Sequence, residues 1–163
     1  MRLFGIASSL FILFGALFLV RRYKSFCKER IEAGRAMLDF IKFRGENVRR
    51  FSSPKSEICR RFQSPVLEES GFLSSLMAGK SYADAFMDAK EKLPLSATAC
   101  ELIFGAFKGM GSGYLDEEKA RQKAIEDELE DFFGKEKEEL QRDIKVKTTL
   151  ILSAALWAAM LLI

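Results

Sequence analysis

Two uncharged apolar runs, one near each end of the chain, constrain this sequence more than any other feature. Leu3 to Val20, LFGIASSLFILFGALFLV, carries no charge over 18 residues. As a helix it extends about 27 Å, close to the thickness of a bilayer core. Thr148 to Ile163, TTLILSAALWAAMLLI, is also uncharged over 16 residues. It extends about 24 Å, enough to cross if Lys145 and Lys147 reach back to the interface. Both runs are apolar on every face, unlike an amphipathic surface helix. The expected organisation is a transmembrane helix over 3–20, a soluble domain over 21–147 and a second transmembrane helix over 148–163.

Each span has a rival reading. The first resembles a secretory signal peptide, but its apolar run is long and meets RRYK without a small-x-small cleavage site. The second is short enough to be re-entrant or monotopic. Orientation follows from the flanks. Arg21, Arg22, Lys24, Lys28 and Arg30 follow the first run, and Arg142, Lys145 and Lys147 precede the second. The positive-inside bias puts both flanks, and the domain between them, in the cytoplasm, with both termini outside. Gly5 with Ser9, and Ala154 or Ala155 with Ala158 or Ala159, offer small-x-x-x-small faces for close helix approach; these residues are also simply frequent in spans.

The soluble region reads as all-α, a bundle of about six helices. Phe26, Ile31, Leu38, Ile41 and Val48 mark one helical face, with Met37 and Phe40 beside it. A polar break then leads to Pro54, expected in the first turn of a short helix ending near Phe62. VLEESGFLSSLMA is expected to form one further short helix, and Ser96 to Lys108 another. Asp116 is the expected N-cap of the last helix, with Glu117 and Glu118 near its positive end. The apolar face Ile125, Leu129, Phe132, Phe133, Leu140 and Ile144 then runs towards the second span with no proline in the way. Domain helix and span are expected to be one rod.

Two stretches invite a nucleotide-binding reading. Gly79-Lys80-Ser81 ends like a P-loop, but Ser74 stands where the loop needs its first glycine, and FLSSLMA reads as helix rather than strand. A helix junction accounts for the same residues. Gly79 takes the left-handed position past one helix, and Ser81 caps the next, with Asp84 in the capping-box position. Gly109, Gly111 and Gly113 lack the G-x-G-x-x-G spacing and a leading strand, so they read as a turn.

No catalytic, cofactor or metal site is expected. The chain has no histidine, the commonest general base and zinc ligand. Cys27, Cys59 and Cys100 lie far apart and read as reduced thiols. Glu68-Glu69 and Asp116-Glu117 read as surface or capping carboxylates.

Charge is sorted along the domain. Arg21 to Arg61 holds 13 basic and 5 acidic residues, and Gln63 to Lys147 holds 12 basic and 18 acidic. Arg49, Arg50, Arg60 and Arg61 are the expected contacts to anionic lipid or an acidic partner. They are not interleaved with an aromatic platform, so nucleic acid is not the expected partner. The acidic stretch EDELEDFF reads as a solvated face or a partner surface.

The order of these features resembles a known family. A basic-flanked first span leads into RAMLDFIKFRGENVRRFSSPKSEI, with Pro-x-x-Glu-Ile at Pro54 to Ile58. GKSYADAF follows at Gly79 to Phe86, and Phe-Gly-x-x-x-Gly falls at Phe104 to Gly109 within LIFGAFKGMGSGYLDEEKARQKAI. A charged helix then runs into the second span. Over nearly the whole chain this resembles stage III sporulation protein AB of endospore-forming bacteria. It departs from that family's Gly-x-Ser/Asp after the glycine turn, here stretched to GMGSGYLD.

The resemblance implies a bundle similar to the inner-membrane platform proteins of type II secretion and type IV pili. It implies a non-enzymatic scaffold on the mother-cell side of the outer forespore membrane. That scaffold would dock a stage III sporulation protein AA-type ATPase, alongside other membrane proteins of a channel between mother cell and forespore. Self-association is also open. Two alternatives stand beside it: a membrane-anchored enzyme, and a small oligomerising or pore-forming membrane protein unrelated to sporulation.

Overall fold

The computed structural model describes residues 2–51, 54–110 and 115–161, with side chains placed at 7–48, 54–110 and 120–161. Among these residues the chain is all-α. Seven helices follow in order: α1 Arg2–Phe51, α2 Lys55–Arg61, α3 Pro65–Glu69, α4 Phe72–Met77, α5 Tyr82–Ala89, α6 Ala97–Lys108 and α7 Leu115–Leu161, with a 3₁₀ turn at Lys90–Lys92. The chain divides into two compact units, 1–28 with 136–163, and 29–135.

In the 29–135 unit, α2 to α6 and the adjoining parts of α1 and α7 surround an aromatic core. Phe40 of α1 lies at its centre, edge-on to Phe62 at 5.3 Å and to Phe72 at 5.1 Å. Phe107 of α6 stacks on Phe72 at 5.6 Å and on Tyr82 at 5.9 Å, and meets Phe86 edge-on. Such pairs add about 0.5–1.5 kcal/mol each beyond the area they bury. Met37, Ile41, Ile58, Leu67, Leu76, Ile103 and Leu129 complete the core, all almost fully buried. Several belong to the apolar stripes expected from periodicity.

The helix junctions are made by local hydrogen bonds. Ser96 caps α6 by accepting from the Ala99 N–H at 3.1 Å, and Ser64 caps α3 through Leu67. Two expectations are corrected here. VLEESGFLSSLMA is not one helix: Gly71, at φ 84°, breaks it into α3 and α4. Only glycine takes that left-handed turn cheaply. Pro54 is the N-cap of α2 rather than a first-turn residue, its carbonyl accepting from Glu57 and Ile58.

The other unit, described by itself, pairs the first part of α1 with the last part of α7, antiparallel. Ser9 donates to the Ala159 carbonyl at 3.0 Å, and Lys147 donates to the Tyr23 hydroxyl at 3.0 Å. Ser9, Ala16, Val20 and Cys27 are buried on α1, and Ala155 and Ala159 on α7. Their spacings, of four and seven residues, keep them on one face of each helix, as in closely packed helix pairs. The large apolar side chains point outward: Phe11 is 82% exposed, Phe14 and Phe18 68%, and Trp157 70%. Among the described residues, the α7 segment Ala120–Leu161 is long and apolar enough to cross a membrane. As expected, α7 is one helix, unbroken from Leu115 to Leu161. Sequence periodicity alone did not reveal that α1 is continuous too.

Candidate functional site

Gly79-Lys80-Ser81 is a helix junction. Gly79, at φ 95°, follows α4; its N–H donates to Leu76 O at 3.1 Å and that of Lys80 to Ser75 O at 3.3 Å. This is the Schellman arrangement, which satisfies the last carbonyls of a helix. Lys55 Nζ donates to the Gly79 and Lys80 carbonyls at 3.2 and 2.5 Å. Ser81 caps α5 by accepting from the Asp84 N–H at 3.1 Å, and its hydroxyl donates to the Asp84 carboxylate at 2.6 Å. That is a variant of the expected capping box, with Asp84 bonded to the serine hydroxyl instead of its N–H. The Lys80 ammonium pairs with Asp88 at 2.7 Å. The pairing raises the Lys80 pKa and holds Asp88 below its ordinary value, in both cases chiefly through their shared hydrogen bond.

The expected basic contacts are placed in part. Arg60 and Arg61 are exposed in the last turn of α2, where positive charge suits the helix dipole. Arg61 also pairs with Glu57 at 3.4 Å. Arg49 and Arg50 lie in the final turns of α1, and their side chains are outside the described residues. Asp116 is a correction: α7 begins at Leu115, so Asp116 lies within its first turn rather than at the N-cap, with its side chain outside the described residues. Gly111 and Gly113 also lie outside them. Gly109 does end α6, but in a right-handed conformation. A Cβ there would fall 2.7 Å from Arg121 Cζ, a contact that the flexible Arg121 side chain relieves by moving.

The reading from sequence missed a buried polar cluster between α1 and α7. Arg44 Nη1 donates to Gln122 Oε1 at 2.7 Å; Gln122 Nε2 donates to Ile41 O at 3.1 Å and to Glu126 Oε1 at 3.0 Å. Arg44 and Gln122 are each 4% exposed, and the Arg44 guanidinium lies 5.0 Å from the Tyr82 ring centre. The sequence does carry a signal. Arg44 falls between Ile41 and Val48 on the apolar stripe of α1, and Gln122 and Glu126 continue the Leu129–Phe133 stripe of α7. Buried and mutually bonded, these groups specify how the two helices match.

Between α6 and α7 lies a cleft of about 260 Å³. Leu102, Ala106, Ile125 and Leu129 line it, Gly105 opens it, and Glu101, Glu128 and Arg121 rim it. Among the described residues, no group of three or more His, Cys, Asp or Glu side chains is placed to hold a metal ion. Cys59 is buried, which pushes its thiol pKa up despite Lys55 nearby.

In the other unit, Lys147 combines its bond to Tyr23 with an ion pair to Asp143 at 3.0 Å, and its ammonium lies 5.0 Å from the Tyr23 ring centre. These contacts, the Tyr23 hydrogen bond first, hold its pKa above the ordinary lysine range.

Comparison with protein-family models, curated proteins and solved structures finds no match to this chain.

Proposed function

We propose that this chain is a double-spanning membrane platform, anchored by residues 3–20 and 148–163, whose helical domain faces the cytoplasm and docks a partner protein. One observation carries the reading. In the unit formed by 1–28 and 136–163, small side chains pack inward while Phe11, Phe14, Phe18, Leu156 and Trp157 point outward. Water would oppose such a surface, and lipid accommodates it. The basic flanks orient it, with both termini outside.

The order of motifs supports a more specific role. On its resemblance to stage III sporulation protein AB, the platform belongs to a secretion-like channel between mother cell and forespore. It docks a secretion-type ATPase that supplies the nucleotide site. The pore-forming alternative is less well supported, because Ser9, Ala155 and Ala159, its candidate self-association face, already pack within the chain.

The test is deletion of the gene in its host, followed by counting heat-resistant spores and imaging the stage of arrest. Arrest after engulfment, rescued by the full chain but not by one lacking either apolar run, is the expected result. Normal spores, or a host that forms none, would remove the sporulation role.

A further inference from the structure

The α6/α7 cleft carries more than its volume. Gly105 sits mid-helix in α6 with a backbone that needs no glycine, at a cost of about 1 kcal/mol relative to alanine. A Cβ there would meet nothing within 4 Å. Packing within the chain therefore does not require the glycine, whose effect is to leave one wall of the cleft as bare helix backbone. Bare backbone lets a second helix approach closely.

The rim is electrically polar. Gly109 and Arg121 are neighbours at the end of the cleft nearest the α6–α7 connection. Glu101 lies about 12 Å earlier along α6, and Glu128 about 10 Å further along α7. Both rim the same cleft, so the two carboxylates stand together at the end away from the guanidinium. Neither is in an ion pair among the described residues. Leu102, Gly105 and Ile125 thus lie between two carboxylates and one guanidinium.

We propose that this cleft receives an amphipathic helix of a partner protein. Its aliphatic side chains would pack on Leu102 and Ile125, the partly exposed apolar residues of the cleft, beside Gly105, with lysine or arginine meeting Glu101 and Glu128. This is the helix-in-groove mode, in which apolar anchors supply affinity and rim charges supply orientation and selectivity. The proposal rests on the platform reading for its biological setting, and names the chemistry of the docked surface.

The test uses the full chain in nanodiscs of zwitterionic lipid, with empty discs as the blank. The probe is a fluorescent synthetic helix with leucine along one face and lysine on the other, and a counterpart with glutamate for lysine. Fluorescence anisotropy is expected to report binding of the lysine helix above the blank, and none of the glutamate helix. Gly105→Phe should abolish it by filling the cleft, while circular dichroism shows the fold kept, phenylalanine being a better helix former than glycine. Glu101→Lys with Glu128→Lys should weaken it about tenfold or more.

Lysine-helix binding that does not exceed the blank, or that is equal in wild type and Gly105→Phe, overturns the proposal. The readout needs no sporulating host, so a failed cleft and a failed platform reading are told apart.

Discussion

Gly34 and Gly105 are both mid-helix glycines, and replacing each with alanine should move stability in opposite directions. Helix propensity favours alanine by about 1 kcal/mol at either site. At Gly105 nothing opposes that gain, because the new methyl faces open space. At Gly34 the methyl would stand 2.6 and 2.7 Å from Cε1 and Cδ1 of Phe133. Carbon atoms pack comfortably at about 3.5–4.0 Å, so α1, α7 or the ring must shift by about 1 Å. Phe132 packs edge-on against that ring at 5.4 Å. Overpacking of this kind costs about 1–3 kcal/mol, which leaves Gly34→Ala neutral to about 2 kcal/mol destabilising.

Amide hydrogen exchange at buried α5 positions such as Phe86 reads the stability of the 29–135 unit within the intact, membrane-inserted chain. Protection should rise about fivefold in Gly105→Ala and should not rise in Gly34→Ala. Equal gains in the two variants would refute the claim that close α1–α7 packing requires the glycine at position 34.

Other outcomes follow from the same structure. Gln122→Ala strips one partner from the buried Arg44 and from Glu126, and should destabilise the 29–135 unit by about 2–4 kcal/mol in the same exchange measurement. Ser81→Ala removes the α5 cap and should cost about 1 kcal/mol, read by thermal unfolding. The Asp88 carboxyl should titrate by NMR below its ordinary 3.8 and return towards it in Lys80→Met. Because that pKa is depressed, the pair's contribution is complete above 3.8 and is lost as the pH falls through the lower folded value. Tyr23→Cys with Lys147→Cys, the native cysteines replaced, should be bridged within one chain by a short bis-maleimide. Bridging only between chains would contradict the α1–α7 pairing.

Much of the architecture is legible in sequence because local rules dominate it. Uncharged runs, 3.6-residue periodicity and capping serines act over a few residues, and they identified α6, the Gly79–Ser81 junction and the continuity of α7. The break at Gly71 was harder to see: the apolar pattern continues across it, and only the left-handed backbone reveals that the helix stops.

By itself, then, the sequence determined an all-α chain with two apolar ends and basic flanks, since those properties follow from composition and short-range spacing. Tertiary structure decided which faces meet. It placed Arg44, Gln122 and Glu126 in one buried network across 78 residues of chain, set Gly34 against Phe133, and left Gly105 open beside a cleft between two helices. Periodicity assigns a residue to a face of its own helix. Which neighbour that face finds depends on how side chains from distant segments fill space together, and no local pattern encodes that.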